Sequence, residues 1–137
     1  MNGDDHLPPV SADEWLARFV TVRNWIRADN TIRPDAFIPP KDLNHSVTRH
    51  LRLSQEQLWK IGQDVVDIIS EKQNAKLIGR ADLTVATVAA AALRTEAAPI
   101  PGNPHHAHIT GWPLDKPAQK NIAQQLAAAA LFVAKQD

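Results

Sequence analysis

The sequence predicts a single α+β domain, with a small mixed or antiparallel sheet of three or four strands packed against two or three helices. Three observations carry this. Residues 54–73 read as a capped amphipathic helix, residues 46–53 alternate as a half-buried strand does, and short strand-like runs recur at 83–88 and 106–110. The length, 137 residues, suits one domain, and a chain of that size buries enough surface to fold without metal or disulfide support.

Residues 1–10 read as a flexible leader ending in Pro8-Pro9, with the domain occupying 11–137. Ser11-Ala12-Asp13-Glu14 has the form of a capping box, flanked by Val10 and Trp15 as a hydrophobic staple. Trp15, Phe19, Val22 and Ile26 then recur at helical steps, so a first helix is expected from Ser11, fading near 28–30. Pro34, Pro39 and Pro40 forbid a helix through 31–45, where Phe37 and Ile38 form a short edge strand or pack as anchors.

In 46–53, Val47, Leu51 and Leu53 share a face with Arg49, while Thr48, His50 and Arg52 share the other. Arg49 on the apolar side demands a strand end or a partner. Ser54-Gln55-Glu56-Gln57 forms a second capping box, and Leu58, Ile61, Val65 and Ile68 make the stripe of a helix ending near 72–74, with Lys72 suited to its dipole. The β-branched run from Leu83 to Val88 reads as a buried strand followed by a turn or short helix, a single helix across 81–93 being the alternative. Three prolines and Gly102 make 98–104 a loop, 106–110 a short strand, and Trp112-Pro113 its stop. The last helix begins at Asp115 or Lys116, tolerates Pro117 in its first turn, and buries Ile122, Leu126, Ala129 or Ala130, and Val133.

Composition narrows the function. Fifteen basic residues balance fifteen acidic ones, so there is no strong nucleic-acid signal, and near-zero charge favours association. The absence of cysteine excludes disulfides and thiolate metal sites. The acidic start lacks the apolar core of a secretory signal, and the longest low-polarity run, 85–93, is too short to cross a bilayer. A soluble, cytoplasmic protein without membrane contact is therefore expected. Gly62, Gly79 and Gly102 form no phosphate loop, and no serine has a nucleophile-elbow context.

The densest chemistry lies in 103–113, where His105, His106 and His108 fall within four positions. On a strand, His106, His108 and Thr110 point to one face. Two imidazoles so spaced offer half the ligands of a divalent metal site; beyond that weak metal candidate no cofactor is expected. His108-Ile109-Thr110 matches one tripeptide of the two-histidine phosphoesterases, but the second is missing. Arg49, His50 and Arg52 would supply donors for a phosphate if their strand lies beside 106–110. Trp112 and Trp25 are candidate partner-binding residues, tryptophan being enriched at binding hot spots.

Asp35-Ala36-Phe37-Ile38-Pro39-Pro40, Asn103-Pro104-His105-His106-Ala107-His108-Ile109 and the alanine-rich final helix loosely resemble a group of small bacterial proteins of uncharacterised function. The resemblance covers 35–133, implies no activity, cofactor or catalytic residue, and favours an accessory protein over a metabolic enzyme. Two functions are thus expected. The first is a noncatalytic protein-interaction module acting in a complex or homo-oligomer. The alternative is a small phosphate-ester or nucleotide binding domain or hydrolase, with or without a metal, using His106, His108, Arg49, His50 and Arg52.

Overall fold

The structure, a computed structural model, describes residues 7–73 and 75–136. It is α+β, but the sheet is larger than expected: six antiparallel strands. In chain order the elements are β1 (Trp15–Val20), β2 (His45–Arg49), α1 (Gln55–Gln73), β3 (Gly79–Thr84), α2 (Val85–Ala90), β4 (Arg94–Ala97), β5 (His106–Thr110), α3 (Lys116–Ala129) and β6 (Leu131–Ala134). The strand order is β4-β5-β2-β1-β3-β6.

The expected first helix is instead a central strand. β1 pairs along its full length with β3, from Trp15↔Thr84 to Val20↔Gly79, and its start pairs with β2. A strand covered on both faces shows no alternation: Leu16 and Val20 face one core, Ala17 and Phe19 the other. The helical spacing of Trp15, Phe19, Val22 and Ile26 is a coincidence: Trp15 is exposed at the strand start, and Val22 and Ile26 lie beyond the strand. The Ser11–Glu14 motif does close a turn, its Ser11 N–H donating to Glu14 Oε2 at 2.8 Å. It introduces a strand because Glu14 is also claimed by Arg49 across the sheet.

The other elements follow local chemistry closely. Ser54 and Gln57 form the reciprocal capping box, with Ser54 N–H to Gln57 Oε1 at 2.8 Å and Gln57 N–H to Ser54 Oγ at 3.1 Å. The Lys72 side chain and Asn74 lie outside the described residues. Phe37 is an anchor, fully buried at the end of a 3-10 turn, Pro34–Phe37. β3 starts earlier than expected and stops at Thr84, whose hydroxyl accepts the Thr87 N–H and caps α2. Asp115 caps α3 by accepting the Ala118 N–H at 2.9 Å.

Two strands escaped the sequence reading. The four residues of β4 pair with β5, and the four of β6 pair with β3. The apolar stripe of the final helix therefore ends before Val133: Ala130 turns extended, and 131–134 join the sheet.

Two cores flank the sheet. On one side Leu16, Val47, Leu83 and Ile109 meet Phe37, Val88, Trp112 and Leu126. On the other, α1 sets Leu58 against Ala17 and Phe19, with Ile61 and Val65 packed beside them. Gly62 permits this approach, since a Cβ there would lie 2.6 Å from the Phe19 ring.

Candidate functional site

The two segments that the sequence reading singled out do lie side by side. β2 pairs with β5, placing Ser46 opposite His108 and Thr48 opposite His106. Ala17 pairs with Thr48, so all these side chains stand on the α1 face of the sheet. The His106 and His108 rings meet edge to face, with centroids 4.9 Å apart.

Between α1 and this part of the sheet runs a groove of about 500 Å³. One wall is the middle of α1: Ile61, Val65, Ile68 and Ile69. Ile68 is 69% exposed, so the helix stripe continues past the core it covers. The opposite wall is the loop after β4, with Ile100 and Pro101. Asn103 pins that loop down. Its Nδ2 donates to Thr48 Oγ1 at 3.3 Å and its Oδ1 accepts the His105 N–H at 3.1 Å.

Phe19, Val22 and Trp25 add aromatic and aliphatic surface, while Ser46, Thr48 and His106 supply polar groups. The groove reaches the first strand because β1 and β2 part early. Their pairing stops after Ala17↔Thr48; through the gap beyond it the groove reaches the opposite side of the sheet, where Arg18, alternating with Leu16 and Val20, lines it together with Val47 and Trp25.

His106 is fixed in one tautomer. Its Nδ1–H donates to the Ala98 carbonyl at 2.9 Å, leaving Nε2 as an acceptor. Burial holds its pKa below the usual imidazole value, and the neighbouring His108 adds to this against the opposing Ala98 hydrogen bond. His106 therefore enters the groove as a neutral ring at pH 7.

The remaining candidates are dispersed. Arg49 is 1% exposed and on the opposite face of the sheet, its pairing partner there being Leu16. It clamps Glu14 with Nε at 2.7 Å and Nη2 at 2.8 Å, and Nη2 also donates to the Pro8 carbonyl. Burial would raise the Glu14 carboxyl, but hydrogen bonds from Arg49 and the Ser11 N–H outweigh it and hold the pKa below the ordinary value. Both demands inferred for Arg49 are met, a strand end and a partner, and neither leaves it free for a ligand.

His50 turns toward β3, where its Nε2 lies 3.2 Å from Asp82 Oδ1. Arg80 joins that carboxylate, Gln55 and the Trp59 ring in a network that ties α1 to the sheet. Arg52 is exposed in the turn after β2 with φ of 63°. The expected shared pocket of His106 and His108 with Arg49, His50 and Arg52 is thus not assembled around one point.

Trp112, expected as a partner anchor, is core: it is 6% exposed and donates its indole N–H to the Ile109 carbonyl. Trp25 lies under Arg18, whose guanidinium carbon is 5.1 Å from the ring centroid. His108 faces Glu96 across β4 and β5, and among the described residues no three His, Asp or Glu side chains form a group able to hold a metal. Cations do gather elsewhere: Arg23, Arg27, Lys76 and Lys135 line a depression beside β6 that the sequence reading did not anticipate.

Arg18, Asn103 and the isoleucines of α1 are the groove residues that sequence reasoning missed. A signal existed for two of them. Arg18 interrupts the apolar run Trp15-Leu16-Ala17-Arg18-Phe19-Val20, and Ile68-Ile69 extend the helix stripe beyond one narrow face. No family model, curated protein or solved structure matches this chain.

Proposed function

We propose that this domain is a binding module for a small, mainly apolar molecule, held in the groove between α1 and the β2–β5 part of the sheet. The observation that carries the reading is the groove itself. Its volume, about 500 Å³, falls in the range of small-molecule sites. Its walls are mostly aliphatic and aromatic, and three of its polar groups, Thr48, Asn103 and His106, are pinned by hydrogen bonds. This keeps the ligand-binding half of the sequence expectation and His106 within it. The phosphate half loses support, because Arg49 is committed to Glu14 and Arg52 is exposed on a turn.

The test is a titration with octanol followed by two-dimensional NMR. Saturable shifts are expected at Phe19, Trp25, Ile61, Val65 and His106, and Val65→Trp, which fills the groove, is expected to abolish them. Shifts scattered over the surface, or binding unaffected by Val65→Trp, would refute the reading.

A second reading keeps the expected homo-oligomer. β6 is a sheet edge carrying Leu131, which is 59% exposed, and an unpaired edge is a template for another strand. Light scattering of the wild type and of Ala134→Pro, where the N–H faces away from β3, decides it: a dimer that the proline dissociates supports edge pairing, and a concentration-independent monomer rejects it.

A further inference from the structure

We propose that the ligand of this groove carries a single carboxylate, and that Arg18 is its counter-ion. The inference rests on the groove reading above and adds the chemical class of the ligand.

The two most deeply buried arginines each have an acid. Arg49 has Glu14 and Arg80 has Asp82. Arg18 has none among the described residues. Its Nε donates to the Ala36 carbonyl at 2.9 Å and its plane lies over Trp25. Nη1 and Nη2 make no hydrogen bond among the described residues, yet neither is sealed from solvent. Burial lowers the Arg18 pKa to about 10, so the side chain is still a cation at neutral pH. A desolvated cation without a counter-charge is costly, and a carboxylate brought to it by an apolar body relieves that cost.

The surroundings favour one negative charge. Asp64 also lines the groove, but its Oδ1 is held by Lys60 Nζ at 2.7 Å on the exposed side of α1. His45, close enough to Arg18 to feel its charge, is kept neutral by burial first and by Arg18 second. His106 is neutral as well. A polyphosphate would meet one cation among isoleucines, whereas an apolar monocarboxylate matches both the charge and the walls.

Calorimetric titrations with octanoate and octanol separate this claim from the one it rests on. Octanoate is expected to bind the wild type at least about tenfold more tightly than octanol, the gain of a charge-assisted hydrogen bond. Arg18→Met is expected to erase the preference, and Arg18→Lys to retain part of it. Equal binding of the two probes by the wild type would overturn the carboxylate claim and leave the groove standing. Because that comparison uses the wild type, it holds even if Arg18→Met fails to fold, which circular dichroism would show. Binding of neither probe would overturn both readings.

Discussion

At the scale of single residues, the fold depends on polar groups placed where water cannot reach them. The Glu14–Arg49 pair is nearly inaccessible on both sides, so removing one partner strands a charge. Glu14→Gln is expected to cost about 3–5 kcal/mol, measured by urea denaturation, and Glu14→Leu combined with Arg49→Met should recover much of it. Additive losses in that double variant would mean that the pair is not coupled. His45 offers a second test. It stacks on Phe37 at 5.8 Å and abuts Trp112 at 6.1 Å, with Nε2–H donated to the Ala36 carbonyl. Burial holds its pKa well below 6.5, while the unfolded imidazole still takes up a proton near that value. Its stabilising contribution is therefore complete above pH 6.5 and is lost as pH falls toward the lowered folded value. His105 and His106 shift in the same direction through burial. Stability should be flat from pH 7 to 8 and fall below 6.5, His45 alone contributing about 1.4 kcal/mol per pH unit. His45→Phe should shallow that slope; an unchanged slope would remove His45 from the account.

At the scale of elements, the sequence reads most clearly where local chemistry closes on itself. α1 and α3 start where Ser54 and Asp115 cap them, because capping is a contact between near neighbours. β1 is not legible locally for the opposite reason: its alternation is erased by cover on both faces, and only its pairing with β2 and β3 defines it. β4 and β6, four residues each, carry too little pattern to be seen without their partners. Gly79 shows how tightly one such edge is fitted. A Cβ there would lie 2.5 Å from the Val133 carbonyl oxygen and 2.6 Å from the Phe132 ring. Gly79→Ala is expected to cost about 1–3 kcal/mol, with amide exchange rising first in 131–134. Uniform protection across the sheet would show that β6 absorbs the change.

At the scale of the whole molecule, the groove joins elements distant in sequence: β1, the middle of α1, and the loop pinned by Asn103. A ligand there bridges α1 to the sheet and binds only the folded state, so saturating octanoate should raise the melting temperature and slow exchange along 61–69. A rise without slower exchange in α1 would place binding elsewhere. Among the described residues no helix is long and apolar enough to cross a membrane.

By itself the sequence determined the α+β class, the capped helices α1 and α3, β5, the first half of the strand expected at 46–53 and the shared face of His106 and His108, since each follows from contacts between neighbours or from a clean period; the second half of that strand is instead the turn into α1. Tertiary structure alone decided that residues 15–20 are a central strand, that Arg49 belongs to Glu14, that Trp112 is core, and that Arg18 reaches the groove without an acid among the described residues. Each of these turns on which distant chain segment supplies the partner, and a buried charge or a doubly covered strand carries no local mark of the neighbour that satisfies it.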